Sequence, residues 1–129
     1  MSVFVNFSNH PSGKWSREQM EAAREYGEVI DVPFPNLVGG LDENDIKRIG
    51  EENVNRIIEY NPTIVMCQGE FTLTFYVVNE LMKRGITCVA ACTKRVSKET
   101  VLSDGTVRKE SLFVFEGFRR YINGREEVC

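Results

Sequence analysis

Short apolar runs alternate along the chain with longer segments in which apolar residues recur at helical spacing. Runs of the first kind are typical of strands, and they occupy residues 3–7, 28–32, 63–67 and 86–91. Segments of the second kind predict helices over about 16–26, 42–61 and 71–83. Because strands that alternate with helices form parallel sheets with right-handed crossovers, the pattern predicts an α/β fold.

After the fourth strand the pattern changes to that of a hairpin. Asp104-Gly105 is a strong turn signal between two strand-like segments, and residues 111–118 continue as a strand in which Phe113 and Phe115 share a face. The third and fourth strands lack polar alternation, which indicates central strands covered on both faces. We expect one domain over residues 1–129, a three-layer Rossmann-like parallel sheet with a C-terminal antiparallel hairpin.

Polar residues at the predicted helix starts specify how the helices are capped. Ser16 and Gln19 match a capping box, in which each side chain satisfies a free backbone donor of the other residue. Asp42 or Asn44 is suited to cap the second helix. The third helix carries apolar residues at helical spacing at Phe71, Phe75, Val78 and Met82.

Composition and charge narrow the classes of function. The chain has 129 residues, of which 42% are hydrophobic and 27% charged, as in an ordinary globular protein. A net charge of −3 argues against a general nucleic-acid binder with a basic surface. The charge is uneven, since residues 1–93 carry 8 Lys/Arg against 13 Asp/Glu, and residues 94–129 carry 8 against 6. The C-terminal part is therefore a candidate for a local anion site.

The cysteines and the N-terminus predict a cytoplasmic protein. Cys67, Cys88, Cys92 and Cys129 form no CxxC pair and are accompanied by one histidine, which argues against a zinc site. Cys67 and Cys88 lie in apolar runs and are expected to be core residues. The first residues lack the features of a signal peptide, and no apolar run approaches the ~20 residues that a membrane span needs.

The carboxyl ends of parallel strands lie on one edge of a sheet, where open α/β folds bind ligands. The segments that follow the four predicted strands are expected to meet there: residues 6–12, 33–36, 68–74 and 93–95. Backbone N–H groups at the start of the helix after Gly69 favour an anion or phosphate. Thr72 either contributes to that site or caps the helix. The chain has neither GxGxxG nor a Walker motif, which disfavours common dinucleotide and triphosphate binding.

Several side chains near this edge have more than one interpretation. His10, the only histidine, either transfers a proton, as an imidazole does near neutral pH, or bonds to the backbone of its loop. Lys94-Arg95 either holds phosphates or lies in a solvated loop. Glu70 orients a sugar hydroxyl, binds His10 or caps the helix. Trp15 and Phe34 either stack on a base or pack in the core.

Two short segments carry a family resemblance. The first is Phe4-Val5-Asn6-Phe7-Ser8-Asn9-His10-Pro11, followed by a Gln-containing amphipathic helix and Gly27, and the second is Cys67-Gln68-Gly69-Glu70-Phe71-Thr72. In these segments the chain resembles small single-domain proteins associated with type III CRISPR systems, which are similar to CRISPR-associated Rossmann-fold (CARF) sensor domains. The resemblance covers residues 3–95 in layout. It departs from the sensor pattern at Ala91-Cys92, where a glycine is often found.

The resemblance implies a ligand and an assembly. Proteins of this kind bind cyclic oligoadenylate, usually as a two-fold dimer. Some cleave it as ring nucleases and switch off the antiviral response, while others only sequester it. For this chain the resemblance implies a homodimer that binds cyclic tetra-adenylate and cleaves it, down-regulating type III CRISPR signalling, with neither DNA nor a membrane as a partner.

The resemblance also implies the residues of the site. Its ligand contacts would come from Asn6, Ser8, Asn9, Gln68, Gly69, Glu70, Thr72 and Thr93, and its catalytic residues would be His10 and Lys94. A ring nuclease of this kind needs no metal and no cofactor, because it aligns a ribose 2′-hydroxyl with the neighbouring phosphorus and leaves a 2′,3′-cyclic phosphate. The alternatives are a non-catalytic binder of the same ligand, and a Rossmann-like domain for another nucleotide or a protein partner.

Overall fold

The computed structural model describes residues 2–126 and follows the predicted alternation of strands and helices. The elements are β1 (Val3–Ser8), a 3₁₀ turn (Ser12–Lys14), α1 (Arg17–Arg24), β2 (Glu28–Asp31), α2 (Glu43–Ile58), β3 (Ile64–Gln68), α3 (Phe71–Lys83), β4 (Thr87–Val101) and β5 (Val107–Arg120). They form a five-stranded sheet in the order β2-β1-β3-β4-β5, in which the first four strands are parallel and β5 is antiparallel to β4. The predicted α/β fold with a C-terminal antiparallel pair is confirmed.

Helices cover both faces of the sheet and complete the three layers. The side chains of the central strands alternate between the faces, as the pleat of a strand requires. Val5 and Val65 pack with α2 and α3 in one core cluster, while Phe4 and Met66 pack with Ala23 of α1 in another. We call these faces of the sheet the α2–α3 side and the α1 side.

β1 and β3 are the central pair from which the chain winds in opposite directions. From β1 the chain crosses to β2, and from β3 it crosses the other way to β4. The two strands end side by side, with Ser8 in register with Gln68. A change of winding direction opens a crevice at the carboxyl ends of the strands, so the topology places the ligand edge here.

β4 is longer than predicted, which corrects the expected turn at Thr93-Lys94-Arg95. Instead of ending at residue 91, the strand continues to Val101. The physical reason is that β5 pairs with it antiparallel, through a register shift at Cys92/Thr93, as far as Val101–Val107. Residues 93–115 therefore extend from the sheet as a two-stranded ribbon, which we call the arm.

The arm turns at Asp104-Gly105 as predicted, but the loop is longer than the expected two residues, because the last strand pair is Val101–Val107. Gly105 adopts a φ of +88°, in the left-handed region that glycine favours. The Asp104 carboxylate accepts a hydrogen bond from the backbone N–H of Thr106 at 2.9 Å. The turn is therefore stabilised by its own residues.

The helices are capped partly as predicted, but α3 turns a different face to the core. Asp42 caps α2 in a capping box with Asp45, whereas Ser16 only accepts from the N–H of Gln19 at 3.2 Å.

In α3 the predicted stripe is wrong in its first half, because Phe71 and Phe75 are exposed by 89% and 76%. The side chains that α3 buries are Leu73, Thr74, Val77, Val78 and Leu81. None of the helices within residues 2–126 has the length and apolar character to span a membrane.

Candidate functional site

A cleft of about 520 Å³ lies on the α1 side of the sheet, at the ends of the two central strands. We call it the strand-end cleft. It is bounded by the loop after β1, the start of α1, the end of β3 and the base of the arm. Its lining residues are Ser8, His10, Lys14, Trp15, Ser16, Glu18, Gln19, Met66, Gln68, Ala91, Thr93, Phe113, Val114 and Phe115.

Asn6 organises the loop that follows β1. Its side chain is 2% exposed, and its Nδ2 donates to the carbonyl of His10 at 2.8 Å and to Oδ1 of Asp31 at 3.0 Å. Its Oδ1 accepts from Oγ of Ser8 at 2.6 Å. Since these bonds occupy both ends of the carboxamide, Asn6 holds the loop in shape, and Ser8 lies between it and the cleft.

His10 is held by its backbone while its imidazole is exposed in the cleft. Besides Asn6, the indole N–H of Trp15 donates to the His10 carbonyl at 3.1 Å, and the backbone N–H of His10 donates to Oγ of Ser8 at 3.2 Å. The ring itself has no hydrogen-bond partner in the part of the chain that the structure describes. The loop therefore presents a free imidazole to whatever enters the cleft.

The side chain of Gln68 bridges β3 and β4 beyond their last paired residues. The last ladder pair of these strands is Met66–Val89, and beyond it Oε1 of Gln68 accepts from the backbone N–H of Ala91 at 2.6 Å. The Nε2 group of Gln68 has no protein acceptor among residues 2–126. The carboxamide thus satisfies a strand N–H at one end and offers a donor to the cleft at the other.

The structure adds a cation and two phenylalanine rings to the predicted site, and it puts Trp15, the predicted candidate for base stacking, in the same cleft. Lys14 enters from the 3₁₀ turn, and Trp15 follows it with its ring edge-on to Phe4 at 6.1 Å. Phe113 and Phe115 come from the arm. Alternation along residues 111–118 had placed these two phenylalanines on one face, but only the pairing of β5 with β4 brings that face to the cleft.

Three predicted ligand contacts lie outside the cleft, around the start of α3. Glu70 caps that helix, with its carboxylate accepting from the N–H groups of Thr72 and Leu73 at 2.8 and 3.0 Å and from the Thr72 hydroxyl at 2.7 Å. The Thr72 hydroxyl and these two N–H groups hold the pKa of the Glu70 carboxyl below its ordinary value. Of the alternatives for Glu70, helix capping is the one observed.

Gly69 has a packing role. A Cβ at this position would lie 2.5–2.6 Å from the ring of Phe34. Phe34 is buried and packs on Phe7 with ring centroids 4.9 Å apart. The missing side chain of Gly69 therefore makes room for a core aromatic, and of the two interpretations of Phe34, core packing is the one observed.

Of the predicted site residues in the arm and in the loop after β1, some line the strand-end cleft and others do not. Thr93 lines the cleft, but Lys94 is the next residue of an extended strand and does not. Asn9 is exposed and also lies outside the lining. The structure therefore brings together Ser8, His10, Gln68 and Thr93, with Asn6 behind them.

A second, more apolar cavity of about 660 Å³ lies on the α2–α3 side. We call it the α2–α3 groove. Glu70 and Thr72 lie at its edge rather than in the cleft. Its lining residues are Leu37, Val38, Gly39, Gly40, Leu41, Asp42, Glu43, Ile46, Lys47, Glu70, Thr72, Phe75 and Tyr76. Nowhere in residues 2–126 do three His, Cys, Asp or Glu side chains come together as a metal ion would require.

A comparison with protein families matches almost the whole chain. The sequence model of the Uncharacterized protein MJ1673 family matches residues 2–119, from the start of β1 almost to the end of β5. No curated protein and no solved structure matches the chain. The match supports a single evolutionary unit that includes the arm.

Proposed function

The chain belongs to the Uncharacterized protein MJ1673 family, and we propose that it binds cyclic oligoadenylate in the strand-end cleft. The proposed ligand is cyclic tetra-adenylate, and the proposed reaction is its metal-independent cleavage as a ring nuclease in the cytoplasm. Cleavage would lower the concentration of the second messenger and so down-regulate type III CRISPR signalling. The proposed assembly is a homodimer.

The observation that supports this proposal is the combination of groups in one cleft. A free imidazole (His10), an ammonium (Lys14) and a carboxamide donor (Gln68) share the cleft with three aromatic rings, of which Phe113 is exposed and Trp15 and Phe115 are half-buried. Aromatic side chains stack on bases of any sequence, and a cation attracts a phosphate. The cleft therefore has groups for each part of an adenylate: the base, the phosphate and the reacting ribose.

The size of the cleft favours a ligand shared between two copies. A volume of about 520 Å³ falls within the range of roughly 300–1,000 Å³ that is usual for small-molecule pockets. A ring of four nucleotides is larger than one drug-sized ligand, so one cleft covers only part of it. A two-fold dimer repeats the same cleft and matches a ring that has two-fold symmetry.

The proposed reaction is an attack of a ribose 2′-oxygen on the adjacent phosphorus. The new 2′-O–P bond forms as the P–O5′ bond breaks, the 2′-hydroxyl loses its proton and the leaving 5′-oxygen gains one. His10 moves a proton in this step, an effect typically worth ~10²–10⁴ in rate. Lys14 stabilises the charge that develops on the phosphate, and the stacked bases hold the ribose in line.

A second candidate is binding without cleavage, and one observation favours it. The imidazole of a catalytic histidine is commonly oriented by a third group, and no side chain in residues 2–126 bonds to the ring of His10. A protein that sequesters the ligand needs no such orientation. Both candidates bind cyclic oligoadenylate in the same cleft, and they differ only in whether the bound ligand is cleaved.

Incubating the protein with cyclic tetra-adenylate and EDTA, with separation of products by chromatography and mass spectrometry, tests both candidates. Cleavage predicts linear fragments that end in a 2′,3′-cyclic phosphate. Intact ligand that stays tightly bound would refute cleavage and support sequestration. If calorimetry detects no binding at all, both candidates are wrong.

The variant His10→Ala separates a catalytic role from a binding role. We expect its single-turnover rate to fall by ~10²–10⁴, while its Kd stays within about threefold, because the ring makes no bond that shapes the cleft. Equal losses in rate and affinity would make His10 a binding residue only. A parallel comparison of Lys14→Ala with Lys94→Ala shows which lysine meets the phosphate, and we expect the larger loss of affinity at Lys14.

A further inference from the structure

The two faces of the arm differ in what they contact. Alternation along β4 and its register with β5 put Thr93, Arg95, Phe113 and Phe115 on one face, and of these Thr93, Phe113 and Phe115 line the strand-end cleft. The opposite face, which we call the outer face, carries Lys94, Val96, Lys98, Leu112 and Val114, together with the Arg108–Glu110 ion pair. A two-stranded ribbon is at best marginally stable by itself, so an uncovered outer face calls for a partner.

The outer face combines apolar side chains with free cations. Val96 and Leu112 are directly paired across the two strands and are 37% and 48% exposed. Lys94 and Lys98 lie on either side of Val96 along the same face. Neither lysine forms an ion pair within residues 2–126. Glu110, which lies directly across the strands from Lys98, is instead paired with Arg108 at 3.0 Å.

The α2–α3 groove has the complementary character. Its apolar lining includes Leu37, Ile46 and Phe75, and the exposed Phe71 lies one helical turn from Phe75. Exposed apolar surface of this extent commonly marks a site of interaction with another protein. Its charged residues are three carboxylates and one ammonium, namely Asp42, Glu43, Glu70 and Lys47. The groove is therefore apolar with an acidic rim.

The outer face and the groove are on the same side of the sheet and at the same edge. Cys88 of β4 packs in the core cluster of the α2–α3 side, and alternation from Cys88 places Lys94, Val96 and Lys98 on that side too. The groove lies at the N-terminal ends of α2 and α3, which follow the carboxyl edge from which the arm extends. A two-fold rotation can therefore bring each surface to its complement in the other copy.

We propose that the outer face of the arm docks in the α2–α3 groove of a second copy of this chain. The contact occurs twice in a reciprocal dimer, in which each copy gives an arm and receives one. The aliphatic pair Val96–Leu112 covers the apolar lining, and the two lysines meet the acidic rim. The nine residues of β4 from Thr93 to Val101 reach roughly 30 Å at about 3.3 Å per residue, which is enough to cross to a neighbour.

This contact uses the α2–α3 side of each chain, opposite the face that holds the strand-end cleft. It therefore goes beyond the proposed function and does not depend on which ligand the cleft binds. It also assigns Lys94 to the dimer contact rather than to the cleft of its own chain. Because the cleft face of the arm stays free, dimerisation leaves the strand-end cleft open. The arm thereby serves two sites, one on each face.

Sedimentation equilibrium of the full chain over a range of concentrations tests the contact. We expect a dimer of twice the 14.8 kDa chain mass. The variants Val96→Asp and Phe75→Asp should each raise the dissociation constant of the dimer by at least about tenfold, because each puts a carboxylate in the apolar part of the contact. The matched controls are Ser97→Asp, one residue along β4 on the other face, and Asn79→Asp, one turn beyond Phe75 on α3. Both should stay dimeric.

A charge exchange distinguishes this contact from a folding defect. Lys94→Glu/Lys98→Glu and Glu43→Lys change only exposed side chains, so we expect circular dichroism to show folded proteins with weakened dimers. Combining all three changes in one chain should restore dimerisation, since the attraction is re-formed with opposite signs. A wild-type monomer at every concentration would overturn the inference, as would a dimer that none of these changes weakens, or a combination that restores nothing.

The ligand assay separates this inference from the proposed function. Cleavage or binding of cyclic tetra-adenylate by a wild-type monomer would refute the docking contact and the proposed homodimer, but not the proposed ligand. The function alone would be refuted if the charge exchange breaks and restores the dimer, but the dimer neither binds nor cleaves cyclic tetra-adenylate. If the dimer forms through another protein surface, the outer-face variants stay dimeric and the contact is wrong.

Discussion

Gly69 shows, at the scale of the single residue, how a ligand-edge glycine can be a packing residue. We predict that Gly69→Ala lowers the free energy of unfolding by about 1–3 kcal/mol, because its methyl group would overlap the buried ring of Phe34. Urea denaturation measures the loss. Gly39→Ala is the matched control, since no atom lies within 4 Å of its added Cβ. If the two variants are equally stable, Phe34 moves aside freely and Gly69 is not a packing residue.

Glu70 gives a pH-dependent prediction. We expect Glu70→Ala to cost about 0.5–2 kcal/mol at pH 7, the usual range for loss of a helix cap. The folded state lowers the pKa of this carboxyl, so its contribution is present above the ordinary glutamate pKa of about 4.3 and is lost as the pH falls through the folded-state pKa. Urea denaturation of both proteins at neutral and acid pH should show the difference shrinking. A difference that is constant with pH would contradict capping by the ionised carboxylate.

The residues around Gln68 show which features of the site could not be predicted from the sequence. The sequence pattern located the turn after β3 correctly, but successive residues of a strand face opposite sides. Gln68, the last residue of β3, therefore faces the strand-end cleft, as Met66 does. The chain then leaves the strand, and the start of α3 puts Gly69 against Phe34 and Glu70 in the lining of the α2–α3 groove. No local pattern distinguishes a polar side chain that binds a ligand from one that caps a helix, because both need the same chemical group.

At the scale of the element, α3 provides a comparison between two faces of one helix. We predict that Leu73→Ala costs about 2–5 kcal/mol in the free energy of unfolding, as expected for a fully buried leucine. Phe71→Ala should change stability by no more than about 0.5 kcal/mol, because its ring is exposed. Thermal or urea denaturation measures both. A larger loss for Phe71 than for Leu73 would mean that the helix is rotated from the orientation described.

Neither the orientation of α3 nor the length of β4 could be predicted from local sequence patterns, and the reasons are related. The stripe of Phe71 and Phe75 and that of Leu73 and Val77 both have helical spacing, and only the position of the sheet decides which one is buried. Likewise, the polar Thr93-Lys94-Arg95 looks like a turn until its partner strand is known. That partner lies on the far side of the hairpin tip, outside the reach of a short sequence window.

At the scale of the whole molecule, the α/β class and the C-terminal antiparallel pair followed from the sequence, because strands and helices alternate without interruption up to residue 91. The strand order did not, since alternation fixes the direction of crossovers but not which strands become neighbours. The order matters for the site. It puts Ser8 beside Gln68 and carries the arm to the cleft.

The burial of two thiols predicts an order of chemical reactivity across the fold. Burial raises the pKa of Cys88 to about 12 and that of Cys67 further, so neither thiol forms the reactive thiolate at neutral pH. Among the three cysteines within residues 2–126, we expect a thiol reagent to label the half-buried Cys92 first, and Cys67 and Cys88 only as the molecule unfolds. Labelling followed by peptide mapping and mass spectrometry measures the three rates. Early labelling of Cys67 would show that the sheet opens locally.

The hydrogen bond from the Ala91 backbone N–H to the Gln68 side chain links two strands at the floor of the strand-end cleft. Because the acceptor is a side chain rather than a strand carbonyl, it can turn toward a bound molecule without unpairing the ladder. The Ala91 amide is therefore a built-in spectroscopic reporter. Its proton resonance and its rate of exchange with solvent register the position of the Gln68 carboxamide, and through it the occupancy of the cleft.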